Sequence, residues 1–450
     1  MKIKQLILSV AMAFPVMAEA QSLSLLQAFQ KAQQYDATLR AAVADNKAQK
    51  EEINKSFAAF LPQVRVGAFE GRGITDSEVP GPLGTTSKRH SNYDSRNYSL
   101  SLRQSIFNKA NFAEYKQAKA DVAKSNAMLE GAQFNMASRV TGAYLDLLLS
   151  EDNVRYSKSQ KTSAQSQLEQ AKKRYKAGIG TITEVSEANA NLETVIAQEL
   201  EWVSGVEYAK RALENITGVY TDTATSLDPS KLQLTVPLPS NVEAWISTAM
   251  EKNADIMAAQ NEYLVVTQEV EKNNSGHYPT LDLVASRTHT QSDNNLTIGQ
   301  QYDTDSIGLQ LNVPLYTGGY VSSSVRQAVA RVEQASEKLS EKQRSVNADV
   351  RKYFYEITNG IARIEAQSQS VASYETALVG TQKGYESGMR SNVDVLTAQE
   401  KLYSAKRDLA RERYKLIYSR IQLKQVAGML TESDIAEVNG WLTASLAQVN

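Results

Sequence analysis

The chain repeats itself, and that repeat limits its architecture more than any other feature. Tyr35-Asp36-Ala37-Thr38-Leu39-Arg40-Ala41-Ala42 returns as Lys252-Asn253-Ala254-Asp255-Ile256-Met257-Ala258-Ala259, displaced by 217 positions. Leu61-Pro62-Gln63-Val64 and Tyr278-Pro279-Thr280-Leu281 share that displacement. Leu100-x-Leu102 with Ile106-Phe107 matches Leu309-x-Leu311 with Leu315-Tyr316 at 209. Tyr175-Lys176-Ala177-Gly178 with Thr183-Glu184-Val185 matches Tyr385-Glu386-Ser387-Gly388 with Val393-Asp394-Val395 at 210. The fall in displacement places a longer strand-linking segment in the first copy. Self-similarity at a fixed period means one structural unit used twice. Both copies read as short helix, helix, strand pair, very long helix, turn, long helix. The first copy occupies 21–220 and the second 241–430. A linker at 221–240, carrying Pro229, Pro237 and Pro239, joins them, and 431–450 forms a C-terminal tail.

Residues 1–20 read as a signal peptide, with Lys2 and Lys4, an apolar stretch from Leu6 to Val16, and Ala18-Glu19-Ala20 as the cleavage site. The mature chain is therefore expected to start at Gln21, in the periplasm or beyond. With no cysteine, the sequence excludes disulfides, thiolate metal sites, a cysteine nucleophile and an N-terminal lipidated cysteine. A net charge of −1 gives no nucleic-acid surface. No later stretch reaches the roughly 20 apolar residues of a spanning helix, so any membrane insertion would use strands.

Alternation with period two marks those strands, expected at about 62–73, 94–107, 280–290 and 304–316. Ile307, Leu309, Leu311, Val313 and Leu315 alternate with Gly308, Gln310, Asn312 and Pro314; Tyr98, Leu100 and Leu102 alternate with Ser99, Ser101 and Arg103. The polar segments Asp76–Ser91 and Gln291–Asp305 read as exposed loops. Pattern alone leaves open two soluble hairpins or four barrel strands. The helices carry seven-residue repeats: Leu402, Leu409, Leu416, Leu423 and Leu430; Val350, Ile357, Ile364, Val371 and Leu378; and Leu339, Val346 and Tyr353. Such repeats specify coiled-coil packing. Proline-free stretches at about 110–176 and 321–386 would each run about 100 Å at 1.5 Å per residue. No basic region precedes the leucine repeat, so it is not a DNA-binding zipper.

Catalytic constellations are missing. His90, His277 and His289 form no H-E-x-x-H, neither G-x-x-x-x-G-K-[ST] nor G-x-S-x-G occurs, and no cofactor or metal motif is present. The sequence is not that of an enzyme.

The export signal, the duplicated plan and the paired Y-x-x-G turns together resemble the TolC family of outer-membrane channel proteins. Phe60-Leu61-Pro62, Tyr278-Pro279, Val313-Pro314-Leu315-Tyr316-Thr317-Gly318-Gly319 and Tyr385-x-x-Gly388-x-Arg390-x-x-x-Asp394-Val395-Leu396 carry that resemblance. It implies a mainly α protein with a small β part. Three chains supply a 12-stranded β-barrel, four strands each, continued by a long coiled-coil α-barrel. It further implies an outer-membrane exit duct reaching into the periplasm, a passive channel in a type I secretion or multidrug efflux machine. Its partners would be a periplasmic adaptor, an inner-membrane transporter and outer-membrane lipid. The absent lipid-attachment cysteine is closer to the type I secretion branch. Independently, four strands cannot close a barrel, two chains give eight strands typically filled by side chains, and three give twelve with room for a lumen. The competing reading is a periplasmic coiled-coil adaptor or scaffold, which should carry one helical hairpin rather than two.

By the same resemblance, the helix pair after the last strand closes the periplasmic mouth with an acidic ring. Asp394 falls at the acid, and Thr397 falls where the family has a second one, which predicts a less acidic mouth. Tyr385 and Arg390 match the residues that tie this helix pair to its neighbours, Thr183 and Glu184 match their partners, and Gly178 and Gly388 make the turns. Ser391-x-x-Asp394 and Thr181-x-x-Glu184 also have capping-box spacing, in which each acid binds its own helix start.

Overall fold

The computed structural model describes residues 23–292 and 300–443. The expected signal peptide lies outside them, as do 293–299 of the second strand linker and 444–450 of the tail. The elements follow the sequence order: α1 (Leu25–Tyr35), α2 (Ala37–Ala58), β1 (Gln63–Pro80), β2 (Thr86–Phe107), α3 (Lys109–Lys176), α4 (Ile182–Thr217), β3 (Ser226–Leu227), α5 (Val242–Lys252), α6 (Ala254–Asn274), β4 (Thr280–Ser292), β5 (Gln300–Asn312), α7 (Tyr320–Glu386), α8 (Asn392–Val426), α9 (Glu432–Gly440) and β6 (Leu442–Thr443). The run α1-α2-β1-β2-α3-α4 is repeated as α5-α6-β4-β5-α7-α8, so the duplication seen in sequence is a duplication of structure.

One repeated residue shows why. Asp36 and Asn253 each stand between the first two helices of their copy. Asp36 Oδ1 accepts from the Leu39 amide at 2.7 Å, and Asn253 Oδ1 from the Ile256 amide at 3.0 Å. Both side chains cap the following helix, where backbone amides have no intrahelical partner. Asp36 is buried and also takes both carboxylate oxygens to Arg139, at 2.9 and 3.0 Å.

The chain divides into two compact bodies. In one (41–131 and 250–346), β1, β2, β4 and β5 form an antiparallel sheet in the order β1-β2-β4-β5. Pro62 and Pro279 stand just before β1 and β4; a proline is tolerated there because the ladder has not begun. Where α2 runs into β1, Phe60 and Phe112 stack edge-on at 5.0 Å. Helix–helix ties are polar: Lys124 bonds both Asp121 and Glu262 at 2.9 Å, and Gln117 bonds Glu269 at 2.9 Å.

The sheet corrects three strand boundaries. Residues 76–91 were expected as a loop, yet the β1–β2 ladder continues through Asp76↔His90 to Pro80↔Thr86 and turns over Pro82–Gly84. Residues 300–305, within the second expected loop, belong to β5. Both extensions are held by acidic and basic residues facing across the ladder: His90–Asp76 and Lys88–Glu78 at 2.5 Å in the first, and His289–Asp303 at 2.8 Å in the second. Cross-strand pairing stabilises such residues in a sheet although each alone favours a turn. At its far end β5 stops at Asn312 instead of 316, because Pro314 has no N–H to give a ladder.

In the other body (23–40, 132–249 and 347–443), the long helices pack on their seven-residue stripes. Leu402, Leu409, Leu416, Leu423, Leu430, Val350, Ile357 and Ile364 are all buried, while Val371 and Leu378 are half-buried. Around them lies a belt of short elements. α1 packs on α4 and α9 through Leu25, Ala28, Phe29 and Ala32, and β3 pairs with β6. Fully buried Tyr144 pins two chain segments to α3. Its hydroxyl donates to the Leu23 carbonyl at 2.8 Å and accepts from the Thr225 amide at 2.8 Å.

Capping and ion pairing by Asp36 can be separated. Asp36→Asn keeps the cap, as Asn253 does in the second copy, and loses the charge; Asp36→Ala loses both and strands Arg139. Urea unfolding should show Asp36→Ala costing about 3 kcal/mol or more, and Asp36→Asn clearly less.

Candidate gate at the helix turns

The turns joining α3 to α4 and α7 to α8 are built alike. Gly178 and Gly388 both have φ of +77°, the left-handed conformation that side chains other than glycine resist. The Gly178 amide returns to the Tyr175 carbonyl at 3.0 Å, and the Gly388 amide to that of Tyr385 at 3.1 Å. Ile179 and Gly180 then bond the Arg174 carbonyl at 3.1 Å, as Met389 and Arg390 bond that of Gly384 at 2.8 and 3.1 Å. These bonds satisfy the last carbonyls of each long helix. The next helix starts at once from Thr181 or Ser391, whose hydroxyl accepts from the amide three residues on.

Downstream of these matched caps the two acids differ. The Asp394 carboxylate accepts from both the amide and the hydroxyl of Ser391 at 2.9 Å, completing a capping box. Those two bonds hold its carboxyl below the usual carboxylate range. Glu184 has the same spacing but turns away, and its Oε2 accepts from the Tyr385 hydroxyl at 3.1 Å. Tyr385 is buried at 3% exposure, and desolvation, reinforced by the Glu184 charge, raises its phenol above the normal value. The Arg174 guanidinium lies 4.7 Å over the Tyr385 ring, a cation–π contact. Sequence spacing therefore left two readings for each acid, and the side chains separate: Asp394 caps its own helix, and Glu184 joins α4 to α7.

Thr183 and Thr397 are exposed. The Arg390 guanidinium makes no ion pair among the described residues; its stem packs near Gly384. Three residues of this cluster gave no signal in the sequence. Asn392 and Gln167, buried at 2% and 4% exposure, bond each other at 2.7 Å, and Asn392 also donates to the Glu184 carbonyl at 3.3 Å. Arg174 looked like one more basic residue in the last turn of a helix. Higher up, α3 and α8 are joined by Ser163–Tyr403 at 2.9 Å, Arg407–Gln160 at 3.2 Å and Tyr414–Asp152 at 2.9 Å. Polar pairs therefore recur along one seam of an otherwise apolar packing. The described residues contain no group of His, Asp or Glu that could hold a metal ion. The contacts of the cluster are hydrogen bonds and one cation–π contact.

Comparison with known proteins agrees with the fold. The family described as Outer membrane efflux protein matches residues 28–219 and 245–429, one match for each structural copy. The chain belongs to this family of outer-membrane proteins. It is 32% identical to the proteases secretion protein PrtF of Dickeya chrysanthemi, covering 95% of this chain and 92% of that one. It is 31% identical to the outer membrane protein TolC of Vibrio cholerae, covering 93% and 94%. Among solved structures, the outer membrane protein VceC of Vibrio cholerae superposes with a TM-score of 0.75 at 22% identity, covering 90% of this chain and 96% of that one.

Removing the Asn392 side chain should leave the Gln167 amide buried without its partner. We expect Asn392→Ala to cost about 1–3 kcal/mol. Limited proteolysis should then show faster cleavage near the 178 and 388 turns.

Proposed function

We propose that this protein is the outer-membrane exit duct of a tripartite export machine, working as a homotrimer with a periplasmic adaptor and an inner-membrane transporter. One observation carries this reading: the sheet has a large apolar face turned to solvent and two unpaired edges. Val66, Ile307 and Leu309 are 80%, 79% and 67% exposed, and β1 and β5 end the strand order. In lipid an open edge is forbidden, and four strands cannot curl onto themselves. Three copies joined β5 to β1 make twelve strands with no edge and bury that face in the bilayer. No helix of the described residues is long and apolar enough to cross a membrane, which leaves the strands as the membrane-inserting element. The long helices then form the periplasmic wall of the duct. Relatives named for protease secretion favour protein cargo over small toxic compounds. A periplasmic adaptor would have no use for two amphipathic strand pairs.

At the periplasmic mouth, Asp394 from three chains forms a negative constriction, with Thr397 leaving it less acidic than a double ring. Tyr385 and Glu184 latch the helix pairs within a chain. Arg390, which pairs with no carboxylate among the described residues, reaches Thr183 or Glu184 of the neighbouring chain. The Ser391–Asp394 cap is compatible with this role, because one carboxylate oxygen suffices for the cap.

Assembly and register are tested together. Extracted in mild detergent, the protein should run near three times its mature mass, and a stable water-soluble monomer would overturn the barrel. Leu309→Arg should block insertion, at about 2–4 kcal/mol per site at the membrane midplane, whereas Gln310→Arg should be tolerated. Reversed tolerances would mean that the two faces are exchanged.

Gate opening is read electrically. Tyr385→Phe with Arg390→Ser removes contacts worth about 1 kcal/mol each and should raise single-channel conductance in planar bilayers. Asp394→Ala should reduce cation preference. If it lowers thermal stability by about 1 kcal/mol while the reversal potential stays put, Asp394 is a cap and no part of the gate.

A further inference from the structure

The two faces of the sheet handle charge in opposite ways. On the face that carries Val64, Val66, Leu100, Ile307 and Leu309, every acidic or basic side chain among the described residues stands in a cross-strand pair. These pairs are Glu70–Arg96 at 2.8 Å, Arg72–Asp94 at 3.1 Å, Asp76–His90 and Glu78–Lys88 at 2.5 Å, Asp305–Arg287 at 3.7 Å and Asp303–His289 at 2.8 Å. The ladder registers Arg65↔Ser101, Arg103↔Val284, Asp282↔Gln310 and Ser77↔Arg89 put the other charges on the opposite face. Apart from these, that face is serine, threonine, asparagine, glutamine and glycine with a few aromatic and valine side chains. Where all four strands pair, up to the Ser95↔Ser292 end of the β2–β4 ladder, it holds Arg65 and Arg103 against Asp282, a net of +1, whereas Arg89 stands on the two-stranded β1–β2 extension beyond that end. Only Arg103 is neutralised, by buried Asp282 at 2.5 Å. Arg65 and Arg89 are exposed and have no carboxylate within ion-pair distance among the described residues. Arg65 has only a long 3.4 Å bond to the Gln63 amide oxygen. It lines a concave polar pocket of about 520 Å³ with Arg103, Ser101, Asn108 and Asn111. Ser105 Oγ, in the same pocket, is buried with no hydrogen-bond partner.

We propose that the lumen of the outer-membrane barrel is an anion-selective exit, set by Arg65. The proposal rests on the barrel reading above, in which the apolar face meets lipid and this face meets the lumen. Three chains would then place three unneutralised guanidinium groups around one axis. Rings of like charge lining a pore decide which ions it passes, and low-dielectric walls focus the field between them. The duct would thus be polar end to end, with a negative periplasmic mouth and a positive outer section. Negatively charged solutes clear the barrel more readily than positively charged ones of equal size.

The test uses the full-length protein in planar bilayers, opened by Tyr385→Phe with Arg390→Ser, under a KCl gradient centred near 0.1 M, where screening acts over about 10 Å. Adding Arg65→Gln should move the reversal potential toward the potassium value, whereas Arg89→Gln, beyond the four-stranded part, should leave it in place. Arg65→Lys should leave it at the parent value. Near 1 M salt, where the screening length is about 3 Å, the shift should shrink. A conducting parent whose reversal potential is unmoved by Arg65→Gln overturns the proposal and leaves the duct standing. A trimeric, membrane-inserted parent that conducts no ions overturns the duct reading and this proposal with it. Both arginines are exposed, so the substitutions leave the fold intact, and trimer migration in mild detergent checks this.

Discussion

An open four-stranded sheet is the constraint on which the rest of the structure turns. β1 and β5 each carry an outer row of N–H and C=O groups that the chain itself does not pair. Unpaired backbone groups are costly wherever water is excluded. Natural sheets hide such edges with charge, bulges or covering elements. The ends of this sheet are charged, but along Ile307 to Leu311 the exposed surface is apolar. That combination is poorly suited to water and well suited to a bilayer, provided that neighbouring copies supply the missing strands. The duplication follows the same economy, since a hairpin used twice gives four strands in which β2 and β4, from different copies, pair at the centre.

Helical packing obeys a second rule. Stripes of leucine, isoleucine and valine bury seven residues apart and provide most of the adhesion. Into the α3–α8 seam the chain inserts Asp152–Tyr414, Gln160–Arg407, Ser163–Tyr403 and Gln167–Asn392. Each net hydrogen bond contributes only about 1 kcal/mol, whereas leaving one partner buried alone costs more. Such a seam specifies register without making it very strong.

Much of this was legible in the residues. Period-seven stripes gave the long helices almost to the residue, with α7 starting at Tyr320 and α3 at Lys109, because helix periodicity is a local property repeated over many turns. The Gly178 and Gly388 turns were legible because few other residues adopt their backbone conformation. Strand ends were misread at 76–91 and 300–305, since Asp, Ser, His and Arg enter a sheet only when an opposite charge stands across from them. Within the turn cluster, spacing located Tyr385, Glu184 and Asp394 but could not say whether each acid served its own helix or another.

The sequence by itself determined the element order, the twofold plan, the absence of thiol chemistry and the faces of the strands. All of these follow from residue type at fixed local spacing. Only the tertiary structure decided which residues separated by tens or hundreds of positions meet. It turned Glu184 to Tyr385 and Asp394 to Ser391, buried Asn392 against Gln167, and left Arg65 with no carboxylate partner among the described residues while every described ionisable acid and base on the opposite face was matched. Those outcomes depend on packing distance and register between segments, which no single stretch of sequence encodes.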